Sequence, residues 1–260
     1  MGILSEFKDL YRYRELLKNL VSRDIKKRYK RSAIGFLWVM LDPLLIMLVF
    51  YIIFAGFFGR EIPNYTSYVI SGITMWQLFA QGTKVAAFAF INNRNLISKL
   101  YLPISVFPIS IVTSSLVHFI FSLVPLFGII LLSGTELSYR IVFLPIVVGL
   151  VFLFAVGVSL TISTVSVFFH DVIYIYDVII MAWMYLSAIF YPISILPEGF
   201  KELMLLNPLY HYITLFRACL YDNTISVTGH LSWGISFAIL SFLIGWGIYY
   251  KGKDRLIFYL

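Results

Sequence analysis

The apolar residues of this chain come in blocks of about 20 or more, and no other feature restricts the fold as strongly. Runs such as Ile34 to Phe58, Ile104 to Ser133 and Ile141 to Phe168 are too long to be the buried faces of soluble helices or strands. Their length matches the roughly 30 Å of hydrocarbon in a bilayer, which about 20 helical residues cross. In lipid every backbone N–H and C=O must be satisfied internally, which leaves helices or a closed barrel. A barrel needs apolar and polar residues in alternation, and these runs do not alternate. Composition agrees: 60% of residues are hydrophobic and 13% charged, with a mean hydropathy of +0.90. A soluble domain of this length would carry about twice that share of charge. The expectation is an all-α integral membrane protein.

Six spans are expected: Ile34 to Phe58, Tyr68 to Phe90, Ile104 to Ser133, Ile141 to Phe168, Val172 to Tyr191, and Leu231 to Tyr250. Pro108, Pro125 and Pro145 offer places for the long third and fourth spans to bend. The segment Pro192 to His230 is apolar but broken by Pro197, Gly199 and Pro208. It reads as short re-entrant helices on the far side, not as a seventh span. Ahead of the first span, residues 1–33 form the only extended polar region. There Phe7, Leu10, Tyr13, Leu17 and Leu20 recur at helical steps of three and four, with Arg12, Arg14, Lys18 and Arg23 among them. That pattern describes an amphipathic helix lying in the headgroup plane, followed by a dense basic run from Lys26 to Arg31.

Charge sidedness tests the topology. Ten of the 20 Lys and Arg residues precede Ala33, and Arg94, Lys99, Lys251, Lys253 and Arg255 fall on the same side, fifteen in all. The opposite side carries four, Arg60, Arg140, Lys201 and Arg217, while Lys84 sits within a span. This is a strong positive-inside bias, and an even number of spans returns the C-terminus to the cytoplasm. The net charge of +7 is thereby an orientation signal, and no soluble basic face exists to bind nucleic acid. The single Cys219 excludes an internal disulfide or a cysteine metal cluster. The first 33 residues are too charged, and the first apolar run too long, for a cleavable signal peptide.

Catalytic and metal motifs are lacking. His118, His170, His211 and His230 are scattered, and neither HExxH nor GxSxG occurs. His170-Asp171 reads as a turn between spans four and five. Gly247 to Asp254 imitates the phosphate loop GxxxxGK[ST], but Asp254 stands where a hydroxyl is required and the run ends a membrane span. If the protein uses ATP, another chain must therefore bind it. Ionisable groups inside spans are costly enough to imply a role. Asp42 lies about 12 Å, and Lys84 about 9 Å, from the cytoplasmic ends of their spans at ~1.5 Å rise per residue, so an Asp42–Lys84 ion pair is expected. Asp177 is the competing partner, and snorkelling of Lys84 to the headgroups is the alternative to pairing. Ala155, Ser159 and Ser163 form a small-residue stripe along span four, suited to close packing within the chain. Tyr51, Trp76, Trp183 and Tyr185 are aromatics within spans, beyond what an interfacial belt needs. They are candidates for lining a path for sugars, whose C–H faces stack on rings.

At the junction of the basic segment and the first span the sequence becomes more specific. Arg23-Asp24-Ile25-Lys26-Lys27-Arg28-Tyr29-Lys30-Arg31-Ser32-Ala33-Ile34-Gly35-Phe36-Leu37-Trp38, then Asp42-Pro43-Leu44, resembles the opening of ABC-2-type permeases that export polysaccharides. Asn93, Leu96, Ile97, Lys99 and Pro103 match that family's coupling region, residues 91–103 here. Tyr191-Pro192, Pro197, Asn207-Pro208 and Arg217 match its far-side signature. Asp42 departs from the pattern, where an amide commonly precedes the proline. Within the family the chain looks most like O-antigen exporters, with teichoic-acid and capsule exporters as cousins.

The resemblance implies a homodimer joined to two ATP-binding subunits in the bacterial inner membrane. Its cargo would be an undecaprenyl-diphosphate-linked polysaccharide, moved from the cytoplasmic to the outer leaflet as a step in lipopolysaccharide biosynthesis. Arg23, Lys26, Lys27, Arg28, Lys30 and Arg31 would then attract the lipid diphosphate, as clustered cations near a membrane attract anionic headgroups. Asn92, Asn93, Arg94, Asn95 and Lys99 would dock the ATPase. Pro192, Pro197, Asn207, Pro208 and Arg217 would gate the far mouth. A drug exporter of the same superfamily, or a membrane enzyme acting on lipid-linked sugars, are the competing functions.

Overall fold

The computed structural model describes residues 12–30, 32–59, 62–99 and 102–259. Their regular structure is all helical, with no strand among them. Phe7 and Leu10 of the expected amphipathic helix, and Arg31 of the basic run, lie outside the described residues.

Helix α1, Arg14–Tyr29, is the basic segment. It turns Leu20 inward, with Leu16 and Leu17 partly covered, and packs chiefly on the third long apolar run. The chain enters the first span through Gly35, which sits at φ +60 and heads a 3-10 turn, Gly35–Leu37. A left-handed backbone of this kind is where glycine is favoured. Its N–H is held by the Ser32 hydroxyl at 3.1 Å. The span itself is α2, Trp38–Phe58. Then come α3, Tyr65–Ala86, the short helices α4, Ala89–Asn92, and α5, Arg94–Ile97, and α6, Val106–Leu132. A 3-10 turn, Tyr139–Phe143, leads into α7, Leu144–Phe168, and α8 follows, Asp171–Tyr185. The far-side segment holds a 3-10 turn, Ile193–Ile195, and the helices α9, Glu198–Leu205, and α10, Pro208–Leu220. Helix α11, Val227–Tyr259, closes the bundle.

Four helical stretches among the described residues are long and apolar enough to cross a membrane: Gly35–Phe58, Val106–Leu132, Tyr139–Phe168 and Val227–Leu256. The expected second and fifth spans are not among them, for two different reasons. Helix α3 has the length but carries Ser67, Ser71, Thr74, Gln77, Gln81, Thr83 and Lys84. It tolerates them because it runs through the middle of the bundle, with 16 of its residues buried against α6, α7 and α2. Helix α8 starts where expected but stops at Tyr185 instead of Tyr191, leaving 15 residues. Beyond it the backbone unwinds through Ala188, a non-glycine residue at φ +49.

The most extensive helix pairing is α7 with α11, and it rests on glycine. A Cβ on Gly157 would meet the backbone of Ser241 and Phe242, and one on Gly245 would meet the backbone of Gly157. The two backbones touch, and the Ser241 hydroxyl donates across to the Phe154 carbonyl at 3.0 Å. Close approach by small residues is how helices associate where lipid supplies no hydrophobic drive between them. Ala155, Ser159 and Ser163 are likewise fully buried within the chain, as their stripe implied. Gly247 to Asp254 lie inside the unbroken α11, where the backbone N–H groups are committed to the helix and cannot cradle a phosphate.

Candidate functional site

The last two turns of α1 present Arg23, Lys26, Lys27, Arg28 and, at its C-cap, Lys30 to the surface. Among the described residues Lys26, Lys27 and Lys30 have no ion-pair partner. Together with Tyr29 and Phe36 they line an open groove of about 910 Å³. On its other side α1 walls a second cavity, of about 460 Å³, that includes Arg23, Lys27, Arg28, Asn92 and Asn93. Clustered cations beside an apolar ring suit a lipid-borne anion, because Arg forks and Lys point charges both bind phosphate oxygens.

Two of the arginines do more than sit on the surface. The Arg23 guanidinium donates to Asp24 at 3.0 Å and to the Asn93 side-chain oxygen at 3.1 Å. Asn93 is buried between α4 and α5, its amide donating to the Ala89 carbonyl at 2.7 Å. Its expected partners in docking, Asn92, Arg94, Asn95 and Lys99, are exposed around it. Asn93 is therefore turned inward to α1, and the other four are free to face another chain. Arg28 reaches the opposite way, donating to the Gln81 side-chain oxygen at 2.8 Å and to His118 Nδ1 at 3.0 Å. The Tyr29 hydroxyl, its pKa raised by burial, lies 3.5 Å from the same nitrogen.

The expected pairing of Asp42 with Lys84 does not form. The Lys84 ammonium sits 3.1 Å from Asp177, the competing partner, and ties α3 to α8. Asp42 accepts instead from the Gln77 amide at 2.9 Å. Asp42 is level with Gln77, about 10 Å along α3 from Lys84 at ~1.5 Å rise per residue, so neither the level nor the facing of the expected pair holds. Asp42, Gln77 and Arg28 all border a cavity of about 210 Å³ between α1, α2, α3 and α6, with His118 and Thr74 deeper inside. Sequence reasoning passed over Thr74, Gln77, Gln81 and His118. The available signal was the spacing of Thr74, Gln77 and Gln81, steps of three and four that set polar groups on one face of a span, which is costly unless that face is used.

The four span aromatics separate in the same way. Trp76 is buried against Phe79. Trp183 meets Phe79 edge-on and donates its ring N–H to Asn207 at 2.8 Å. Tyr51 and Tyr185 are exposed.

The far-side residues converge on the unwound stretch after α8. Asn207 caps α10 by accepting from the Leu209 N–H at 3.0 Å, while its amide donates to the Leu186 carbonyl at 2.6 Å. Pro208 takes the first turn of that helix, where its missing N–H costs nothing. Pro197 stands at the N-cap of α9 and Pro192 at that of the 3-10 turn before it. Arg217, only 5% exposed, donates to the carbonyls of Ala188 and Tyr68, both at 3.1 Å, and of Ile189 at 3.2 Å. Its guanidinium carbon lies 3.4 Å from the centre of the Tyr68 ring. The Tyr68 hydroxyl reaches the Ala188 and Tyr191 carbonyls, and that of Tyr65 reaches Phe190. One buried cation and two phenols thus supply the donors that a broken helix needs in place of its own.

Residues 15–221 match the ABC-2 type transporter family. The chain is 32% identical over 218 residues to the O-antigen export system permease protein RfbA of Myxococcus xanthus, covering 83% of this chain and 84% of that one. It is 31% identical over 242 residues to the RfbA permease of Klebsiella pneumoniae, covering 93% of each. With the polysialic acid transport protein KpsM of Escherichia coli it shares 22% identity over 243 residues, 92% of this chain and 93% of that protein.

Proposed function

Since the chain belongs to the ABC-2 type transporter family, we propose that it is the pore subunit of an ATP-driven exporter of lipid-linked polysaccharide of the O-antigen type. The observation that carries this reading is the joining of two features by one side chain. Arg23 belongs to the cationic face of α1 and also holds Asn93, in the turn expected to meet the ATPase. Movement of that turn by a partner would reach the cations directly. By their names, these relatives belong to O-antigen export systems or transport polysialic acid, which supports a glycan as cargo.

In this proposal two copies form the pore and each meets one ATP-binding subunit, which holds ATP and Mg and performs the hydrolysis. The chain crosses the bacterial inner membrane six times, α3 and α8 completing the four apolar spans, with both termini cytoplasmic. Helix α1 lies in the cytoplasmic interface and gathers the diphosphate of an undecaprenyl-linked glycan. The exposed Asn92, Arg94, Asn95 and Lys99 dock the ATPase, and the Arg217 cluster with α9 and α10 gates the far mouth.

The test is reconstitution with the ATP-binding subunit in lipid nanodiscs. Lipid-linked glycan is expected to raise ATP hydrolysis several-fold, and hydrophobic drugs to leave it unchanged. Stimulation by drugs with no response to glycan would replace the polysaccharide reading with drug efflux.

A further inference from the structure

We propose that the cavity between α1, α2, α3 and α6 is a subsite for one sugar ring, the ring joined to the lipid diphosphate. The idea rests on the exporter reading above and assigns a substrate part to residues that reading leaves unused.

The size and chemistry of the cavity point to a small neutral polyol. Its volume of about 210 Å³ is below the roughly 300–1,000 Å³ of sites for drug-sized ligands, and so holds a single ring. Its wall offers donors and acceptors together: the Asp42 carboxylate, the Gln77 and Gln81 amides, the Thr74 hydroxyl and His118. Trp38, 38% exposed, adds an aromatic face. One cation, Arg28, and one anion, Asp42, border the same small space. Either would repel a ligand of its own sign at short range, so a free phosphate and a metal cation are both disfavoured.

Two polar atoms of residues that line it have no partner. His118 Nε2 and Thr74 Oγ1 are buried without a hydrogen bond, in residues 7% and 0% exposed. The tautomer of His118 follows from Arg28, which has only donors. Nδ1 must accept from it at 3.0 Å, and the proton of the neutral ring is on Nε2. An N–H donor and a hydroxyl are thereby left unpaired in the bundle interior, which is unfavourable. Both side chains belong to the wall, and rotation of either toward the cavity would let a ring hydroxyl pair with it.

Location completes the case. Arg28 and His118 line this cavity and also the larger cationic one beside Arg23 and Lys27. The two spaces share that wall. A diphosphate held by the α1 cations would carry its first sugar to the other side of Arg28, where the polar cavity lies.

The test uses the complete complex in nanodiscs and three lipids: undecaprenyl diphosphate, and the same lipid bearing one glucose or one N-acetylglucosamine ring. At least one sugar-bearing lipid is expected to bind about tenfold more tightly than the bare diphosphate. In Thr74→Val and in Asp42→Asn, both close to isosteric, that ratio is expected to fall to about threefold or less. Equal binding of bare and sugar-bearing lipids by the wild-type complex would overturn the subsite and leave the lipid-diphosphate reading standing. A preference retained in full by both variants would also overturn it. Failure of all three lipids to bind would instead remove the exporter reading on which the subsite depends.

Discussion

Arg217→Lys is a direct probe of the far-side cluster, because it keeps the charge and removes the fork. The guanidinium reaches three carbonyls from two terminal nitrogens, Nη1 to Ala188 and Nη2 to Tyr68 and Ile189. A single ammonium on a straight stem can hold one of them. Two charge-assisted hydrogen bonds are then lost, at about 1.5 kcal/mol each. The low end of the range applies because the Ala188 carbonyl keeps the Tyr68 hydroxyl and the Tyr68 carbonyl keeps the Ser71 hydroxyl. Only Ile189 loses its side-chain donor outright. A loss of about 3 kcal/mol at ~2–4 °C per kcal/mol for a chain of this size corresponds to a fall of roughly 6–12 °C in Tm. The assay is thermal unfolding of the purified complex, followed by size-exclusion recovery. Tyr68→Phe in the same background gives the second arm, since it removes the hydroxyl that shares the Ala188 carbonyl. The double variant is expected to depart from additivity by about 1 kcal/mol, as members of one network do. An Arg217→Lys protein that melts within about 2 °C of wild type would refute the reasoning, since it would mean that the carbonyls after α8 do not depend on the fork.

Three further outcomes follow from the geometry. Gly157→Ala and Gly245→Ala each place a methyl on backbone that has no room to yield, and should destabilise the bundle by about 1–3 kcal/mol, read as reduced thermal recovery; Gly149→Ala, with open space around it, should not. Exchanging the charges in Lys84→Asp with Asp177→Lys should restore assembly that either single change impairs, whereas Asp42→Asn should show no coupling to Lys84→Met in a double-mutant cycle. Arg94→Glu with Lys99→Glu should weaken co-purification with the ATP-binding subunit at least tenfold, while Asn93→Ala should leave association intact and lower glycan-stimulated ATP hydrolysis.

Much of the fold was legible from sequence, and most of the site was not. The four apolar spans came from length, and helical spacing pointed to a helix through Leu17 and Leu20, although the basic run expected after that helix continues it as far as Tyr29. Each of these is read along contiguous residues. The polar cavity was missed because its members come from four helices, and because Gln77 and His118 look like isolated tolerated residues within apolar runs. The end of α8 was misplaced by six residues for a related reason. Pro192 disfavours a helix through Tyr191, but nothing within Leu186–Tyr191 marks a stop at Tyr185, and the unwound stretch is held from outside, by Arg217, Tyr65 and Tyr68.

What the amino-acid order decided was therefore the apolar helices long enough to cross a membrane and the cationic segment ahead of them, since hydrophobic length and clustered charge are read over neighbouring residues. The tertiary structure decided who meets whom: Lys84 with Asp177, Asp42 with Gln77, Gly157 with Gly245. Each residue turns about 100° around its helix axis from the last. Which residues belong to a span can be counted along the chain, but facing and level depend on how each helix is rotated and shifted against its neighbours, and packing alone sets both.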